Sequence, residues 1–494
     1  MRVEVEPGSP ESVTADVLAA PLTATGSLTG SAAQLDERLG GLLARLTREG
    51  ELSGKLKSAP LVHLNGELEA PRLAVAGVGA PEAIDADALR TAAATVVREA
   101  GFAGTVAWLL DDSLPITPLE QARAIVDGTF LGAYDPGRWK HEAEKAQLER
   151  LVVLSSDATV AAAARRAAVV AAWANRARDL ANEPPNILTP QALAKRAAEI
   201  ADDLPLLAVE SLGLTRIREL GMGAFAGVAQ GSHNEARLIV LRYDPPEARS
   251  DVVLGLVGKA VTFDTGGISI KKPLYMEDMK GDMAGGGAVI AALGALAELE
   301  EPVRAVGVVA ATENAVGGGS FRPGDILTAM NGKTIEIINT DAEGRLILAD
   351  ALPYARELGA THLVDLATLT GTMERALGDF YAGVFANDED WRTLVVEAGE
   401  ASGDHAWPWP LHSRYRRYID SDYADMKNAN IRSQGVPVLA AEFLHEFAGE
   451  GPWAHIDVAG MGFHTWPRHD YLWQRGGTGY GVRLICELAR RLAG

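Results

Sequence analysis

DVVLGLVGKAVTFDTGGISIKK, residues 251–272, decides the fold. It opens as an unbroken apolar run and ends in a segment carrying Lys259, Asp264, Lys271 and Lys272. A short apolar run bounded by Gly reads as a strand buried on both faces. The strand is expected to end near Val257, with Gly266 and Gly267 giving the loop that follows freedom to turn. The pattern recurs at 235–244, 304–314, 361–371 and 453–460, with helical segments between several of these runs, for example 284–299 and 345–358. Strands of this kind alternating with helices predict an α/β domain whose mixed, largely parallel sheet is covered by helices. Ligands of such sheets bind beyond the carboxyl ends of the strands.

The polar residues gather at those ends. Asp282 in KGDM precedes a Gly/Ala-rich helix, and Asp341, Glu343 and Arg345 in NTDAEGRL precede another. Four carboxylates brought together repel one another unless something neutralises them. Hard oxygen ligands suit divalent Zn, Mn, Mg or Co, and one carboxylate can bridge two ions. Asp341 and Glu343, two apart, point the same way if the backbone is extended. The competing reading is a set of unrelated caps and salt bridges, since Asp282 alone is an ordinary helix cap.

The chain of 494 residues is too long for one ordinary domain and comfortable for two. With 47% hydrophobic and 23% charged residues, it has the composition of a soluble globular protein. The single cysteine, Cys486, excludes an internal disulfide framework and a cysteine zinc site. MRVEVEPGSPESVTADVL, acidic and without an apolar stretch, does not read as a signal peptide. The run at 284–297 is too short and Gly-rich to span a bilayer, so a cytoplasmic protein with no membrane partner is expected. A formal charge of -20 argues against nucleic acid as a partner, because neutralising phosphates needs clustered Lys and Arg. The expected division is an N-terminal α/β domain over 1–154, a connecting helix over 155–182 stopped by Pro184 and Pro185, and a catalytic domain over 183–494.

GKAVTFDTGGISIK (258–271), MEDMKGDM (276–283) and NTDAEGRL (339–346) resemble the three metal-site segments of the leucyl aminopeptidase family, the M17 metallopeptidases. NEPPNILTP (182–190), LATLTG (366–371), YAGVFAND (381–388), AHIDVAG (454–460) and TGYGVRL (478–484) also resemble family blocks, in the family's order. The resemblance implies a hydrolase that removes N-terminal residues, leucine and other apolar ones, from peptides through water activated by two metal ions. One ion would take Asp264, Asp341 and Glu343; the other Lys259, Asp264, Asp282 and Glu343. Lys271 and Arg345 would be the catalytic pair, with bicarbonate held at Arg345. Met279, Asn339, Thr368, Gly371 and Ala459 would form the substrate side. The implied ions are Mn or Zn, with Co or Mg as alternatives. A homohexamer, a dimer of trimers, and a smaller, macro-like N-terminal α/β domain are implied too. DMAGGGA replaces the common DMGGAA, and Lys272 stands where the family usually has Pro; every expected ligand is in place.

HEFAG (445–449) lacks the second His of a zinc helix, GLVGK (255–259) lacks the P-loop pattern, and no Ser stands in a GxSxG elbow. His455 reads as a core histidine. Two other functions compete with the peptidase: a two-metal phosphoesterase, and an aminopeptidase with an additional DNA-binding role.

Overall fold

The computed structural model describes residues 1–101, 103–141, 148–248, 251–430, 432 and 434–494. The chain divides into two units. The first holds Met1–Asn175 and Pro467–Gln474; the second holds Arg176–Trp466 and Arg475–Gly494. The division falls inside the helix Ala158–Asn182. The return of 467–474 to the first unit has no signature in composition or periodicity.

In the first unit, six strands line up in the order Arg2–Glu6, Arg150–Leu154, Thr105–Leu109, Val17–Thr23, Arg72–Gly79 and Leu61–His63. All neighbours run parallel except the last pair. The helices Ala86–Ala100 and Pro118–Gly132 meet closely: a Cβ at Gly128 would lie 2.1 Å from the Arg90 carbonyl oxygen. Thr117 closes a capping box with Glu120 at the start of the second helix.

The second unit is built on eight strands ordered Ala406–Pro408, Ala382–Ala386, Trp453–Asp457, His362–Ala367, Val253–Asp264, Arg304–Asn314, Arg237–Tyr243 and Leu207–Gly213. The centre is parallel, and antiparallel pairs enter towards both edges. Val253–Asp264 occupies the middle and is buried almost throughout, as its apolar run requires. The helix Ala284–Glu298 lies close on it because its glycines remove side chains at the contact. A Cβ at Gly258 would sit 2.6 Å from the Gly286 Cα, and one at Gly285 2.1 Å from the Leu366 carbonyl oxygen. The helix Gly344–Glu357 covers the sheet as well, burying Leu346, Ile347 and Leu348 in the core.

Two details differ from the expectation. The central strand continues through Asp264 instead of ending near Val257, so Lys259 and Asp264 are strand residues. Its pairing with Arg304–Asn314 shifts by one: Thr312 faces Val261, but Glu313 faces Phe263, which leaves Thr262 as an extra residue. Alternation alone would send Lys259 and Asp264, five apart, to opposite faces. The bulge at Thr262 reverses the parity and brings both to one face.

Candidate active site

Four chain segments meet at the carboxyl end of the central strand. The strand supplies Lys259 and Asp264. The turn before Ala284–Glu298 supplies Asp282. The turn before Gly344–Glu357 supplies Asp341 and Glu343, and the loop after the strand supplies Lys271. Carboxylate oxygens of Asp264, Asp341 and Glu343 lie within 4.8 Å of one another. Lys259 Nζ lies 2.7 Å from Asp282 Oδ1 and 2.9 Å from Glu343 Oε1. Lys271 Nζ lies 2.7 Å from Asp264 Oδ2 and 2.5 Å from Asp341 Oδ1.

Local sequence explains the convergence. Asp341 and Glu343 are not on an extended segment. Asn339 Oδ1 accepts the Asp341 N–H at 2.9 Å in an Asx turn, and Glu343 has helical dihedrals as the residue preceding the helix. Gly344 is needed because a Cβ there would lie 2.8 Å from Lys259 Nζ. Gly266, with φ at +85°, turns the loop back so that the Lys271 N–H reaches the Thr265 carbonyl at 3.0 Å. Asn314, cross-strand partner of Asp264, donates to Asp264 Oδ1 at 2.8 Å. The Thr368 hydroxyl donates to Asp282 Oδ1 at 2.7 Å, while its carbonyl accepts from Lys259 at 3.0 Å.

The electrostatics show a group short of positive charge. Four carboxylates face two ammonium groups. Burial pushes Asp282 up to about 8 and Asp341 up to about 7, with the neighbouring carboxylates adding to both shifts. Burial also raises Asp264, helped by Glu343. Glu343 is held below its ordinary value because Lys259 and Lys271 outweigh its burial. Both lysines are raised, burial being overcome by the acids around them. Asp282 Oδ2 and Glu343 Oε2 are buried without a hydrogen-bond partner. Orphaned, buried carboxylate oxygens in a site with excess negative charge fit divalent cations.

The raised acids predict a pH dependence. In the metal-free protein Asp282 and Asp341 take up protons as pH falls through about 8 and 7, whereas in the unfolded chain they stay ionised down to about 4. The folded form therefore binds more protons in this window, and metal-free stability should rise as pH is lowered from about 8 to about 6. Cations must displace those protons, so affinity should rise with pH over the same range. Calorimetric titration of stripped protein in buffers of different ionisation enthalpy should register proton release. No release would contradict the assignment of these acids as ligands.

A cavity of about 210 Å³ opens from the cluster. Met279, Thr368, Gly371 and Ala459 line it together with Lys259, Asp264, Lys271, Asp282, Asp341 and Glu343. Asn339 and Arg345 are not on its wall. Asn339 shapes the Asp341 turn, and its carbonyl accepts from Asn428 at 2.7 Å. Arg345 is buried, donates from Nη1 to the Asn428 carbonyl at 2.8 Å and has no partner at Nε. Burial pulls it down to about 10, so it remains a cation at neutral pH. Sequence reasoning did not single out Asn314, Asn428 or Asp457. Asp457 is buried and accepts from the Leu369 and Ala459 N–H groups at 3.1 and 3.2 Å and from the Thr370 hydroxyl at 2.6 Å, tying together two loops of the cavity. A buried Asp in the apolar WAHID strand was the signal that could have found it. His455 is a core residue, with Nδ1 2.6 Å from Asp365.

Residues 175–486 match the cytosol aminopeptidase family, catalytic domain, and residues 20–143 match the N-terminal domain of the same family. A probable cytosol aminopeptidase of Solibacter usitatus is 44% identical over 446 residues, spanning 90% of this chain and 92% of the relative. One from Roseiflexus castenholzii is 41% identical over 99% of both chains. Among solved structures, a mutant of tomato leucine aminopeptidase superposes with a TM-score of 0.89 at 34% identity, covering 99% of this chain and 96% of that one. The bottromycin maturation enzyme BotP in complex with Mn superposes with a TM-score of 0.86 at 33% identity, covering 97% and 100%. With matches over both parts of the chain and nearly its whole length, this protein belongs to the cytosol aminopeptidase family.

Proposed function

We propose that the chain is a metal-dependent exopeptidase that removes N-terminal residues, leucine and other apolar ones among them, from peptides. The observation that carries the reading is the convergence of Asp264, Asp341 and Glu343 within ligand distance of one another, with Lys271 reaching two of them. In the ligand assignment we favour, Asp264, Asp341 and Glu343 hold one divalent ion, and Lys259, Asp264, Asp282 and Glu343 hold the other. Mn or Zn is the proposed metal; the Mn in the BotP structure supports the first. When bound, such ions acidify a water so that it attacks at neutral pH, and they polarise the scissile carbonyl.

The chain's own groups supply the rest. Lys259 must give up its proton to act as a ligand, because only a neutral amine has a lone pair. Lys271, freed from Asp264 and Asp341, directs its ammonium at the oxygen that becomes negative as the carbonyl is attacked. Asp457 keeps the 368–371 and 459 loops in register beside it. Arg345 is a buried cation with an unpartnered Nε, suited to hold a small planar anion. Bicarbonate held there would accept and return the proton. A cytoplasmic homohexamer is the proposed working form; the relatives' names support the compartment, and light scattering tests the assembly.

Mn-loaded protein should release p-nitroaniline from leucine p-nitroanilide and no phosphate from a phosphoester; the reverse result would favour the two-metal phosphoesterase. Arg345→Ala should lower kcat about 100-fold, the scale of general acid–base catalysis, with both ions retained. Loss of both ions in that variant would sink the role given to Arg345.

A further inference from the structure

In the proposed reaction Lys271 must aim its ammonium at one oxygen atom, yet its side chain is a flexible four-carbon stem. The aim is therefore set by where the loop places the Lys271 Cα. Burial does not hold this loop. Ile268 and Ile270, on either side of Ser269, are 47% and 64% exposed, and Leu274 is 72% exposed. These apolar side chains face solvent and give the loop no core to rest on.

Polar bonds hold it instead, and they converge on Thr340, which is fully buried. The Thr340 hydroxyl accepts the Ser269 N–H at 2.8 Å and donates to the Gly266 carbonyl at 2.6 Å. In return the Ser269 hydroxyl accepts the Thr340 N–H at 3.1 Å. Each residue uses its side chain on the other's backbone, across 71 positions of chain. The fit is close. A Cβ at Gly267 would lie 2.9 Å from the Thr340 hydroxyl oxygen, and one at Gly266 would lie 2.9 Å from Asp341 Oδ1 and 3.0 Å from the Lys271 nitrogen. Both glycines take positive φ, +85° and +63°. The two ends of this clasp adjoin the working groups. Ser269 stands two residues before Lys271, and Thr340 directly precedes Asp341. The Lys271 N–H is fixed to the Thr265 carbonyl at 3.0 Å, so the loop closes on itself with Thr340 bonded to its middle.

We propose that Thr340 is a positioning residue for Lys271: its clasp with Ser269 holds the 266–271 loop against the turn of Asp341 and so aims the Lys271 ammonium. The inference rests on the aminopeptidase reading and adds a residue to its machinery. Thr340 itself touches no substrate and holds no ion in this role. A catalytic group depends on the shell that supports it, and a misplacement of about 1 Å is enough to cost about 10²-fold in rate. Because Lys271 acts on the developing negative charge and not on the bound substrate, the loss should appear in kcat.

The test uses the Mn-loaded full chain and leucine p-nitroanilide. Thr340→Val, nearly the same shape without the hydroxyl, should lower kcat about tenfold, the scale of losing both hydrogen bonds of one hydroxyl. KM and the content of both ions should stay as in the wild type. Thr340→Ser, which restores the hydroxyl, should regain most of the loss. The deciding arm is a double-mutant cycle. In a Lys271→Ala background, Thr340→Val should change kcat less than about twofold, because no ammonium is left to aim. Ser269→Ala, on the partly exposed side of the clasp, should give the same pattern with a loss of about threefold, and it decides the matter if Thr340→Val does not fold. Additivity with Lys271→Ala in either cycle would overturn the inference, as would an unchanged kcat in Thr340→Val. Loss of metal in Thr340→Val would also overturn it, by placing the action of Thr340 on Asp341. Failure of the wild type to cleave leucine p-nitroanilide would instead overturn the aminopeptidase reading, and this inference with it.

Discussion

Glu343→Gln is expected to produce a folded protein that holds fewer than two ions per chain and has lost more than about 100-fold in kcat. Loss of an outer-shell partner alone already costs 10–100-fold at metal sites. Glu343 joins the two halves of the site. One oxygen lies 2.9 Å from Lys259, in the half that contains Asp282, and its carboxylate is also within ligand distance of Asp264 and Asp341. Glutamine preserves the volume and still accepts from Lys259. It removes the charge and puts an amide NH2 where the second oxygen stands. The fold should survive, because the substitution reduces the repulsion among four acids instead of adding to it. Elemental analysis after exhaustive dialysis, paired with circular dichroism, provides the check. A variant that keeps two ions and full turnover would remove Glu343 from the centre of the site.

Lys271→Ala should have the second-largest effect, and its pattern should be the opposite one. Turnover should fall about 10²–10³-fold, the range found for removing one oxyanion donor. KM should change little, since the interaction is made only in the transition state. Metal affinity should rise, because in the metal-free protein the Lys271 ammonium sits on Asp264 and Asp341 and must leave before an ion can enter. High metal content with low kcat separates this variant from Glu343→Gln, where both fall. If Lys271→Ala lost both ions, Lys271 would be a structural counter-charge and not a catalytic group.

Much of this was legible in the sequence because it rests on local rules. Apolar runs such as 304–314 gave strands, which needs no knowledge of partners. NTDAEGRL named two acids of the cluster, Asp341 and Glu343, and Gly344 within it is explained by Lys259 passing against it. What escaped depended on pairing. The antiparallel pairs of the large sheet arise from long connections that periodicity cannot order. Asn314 and Asn428 act through contacts 50 and 83 residues away along the chain, so nothing near them in sequence marks them. The resemblance places Asn339 on the substrate side. Its hydrogen bonds make it a turn former, a distinction only the backbone shows.

The extra residue at Thr262 carries one more consequence. Asp264 faces Lys259 only because Thr262 is left unmatched by the neighbouring strand. The count of residues between them is therefore as much a part of the site as their identities. Deleting Thr262 would leave every proposed ligand in the chain and still turn one acid away from the rest. Changing Thr262 to another small side chain would leave the count, and hence the aim, as it is. At this one position, the presence of a residue matters more than which residue it is.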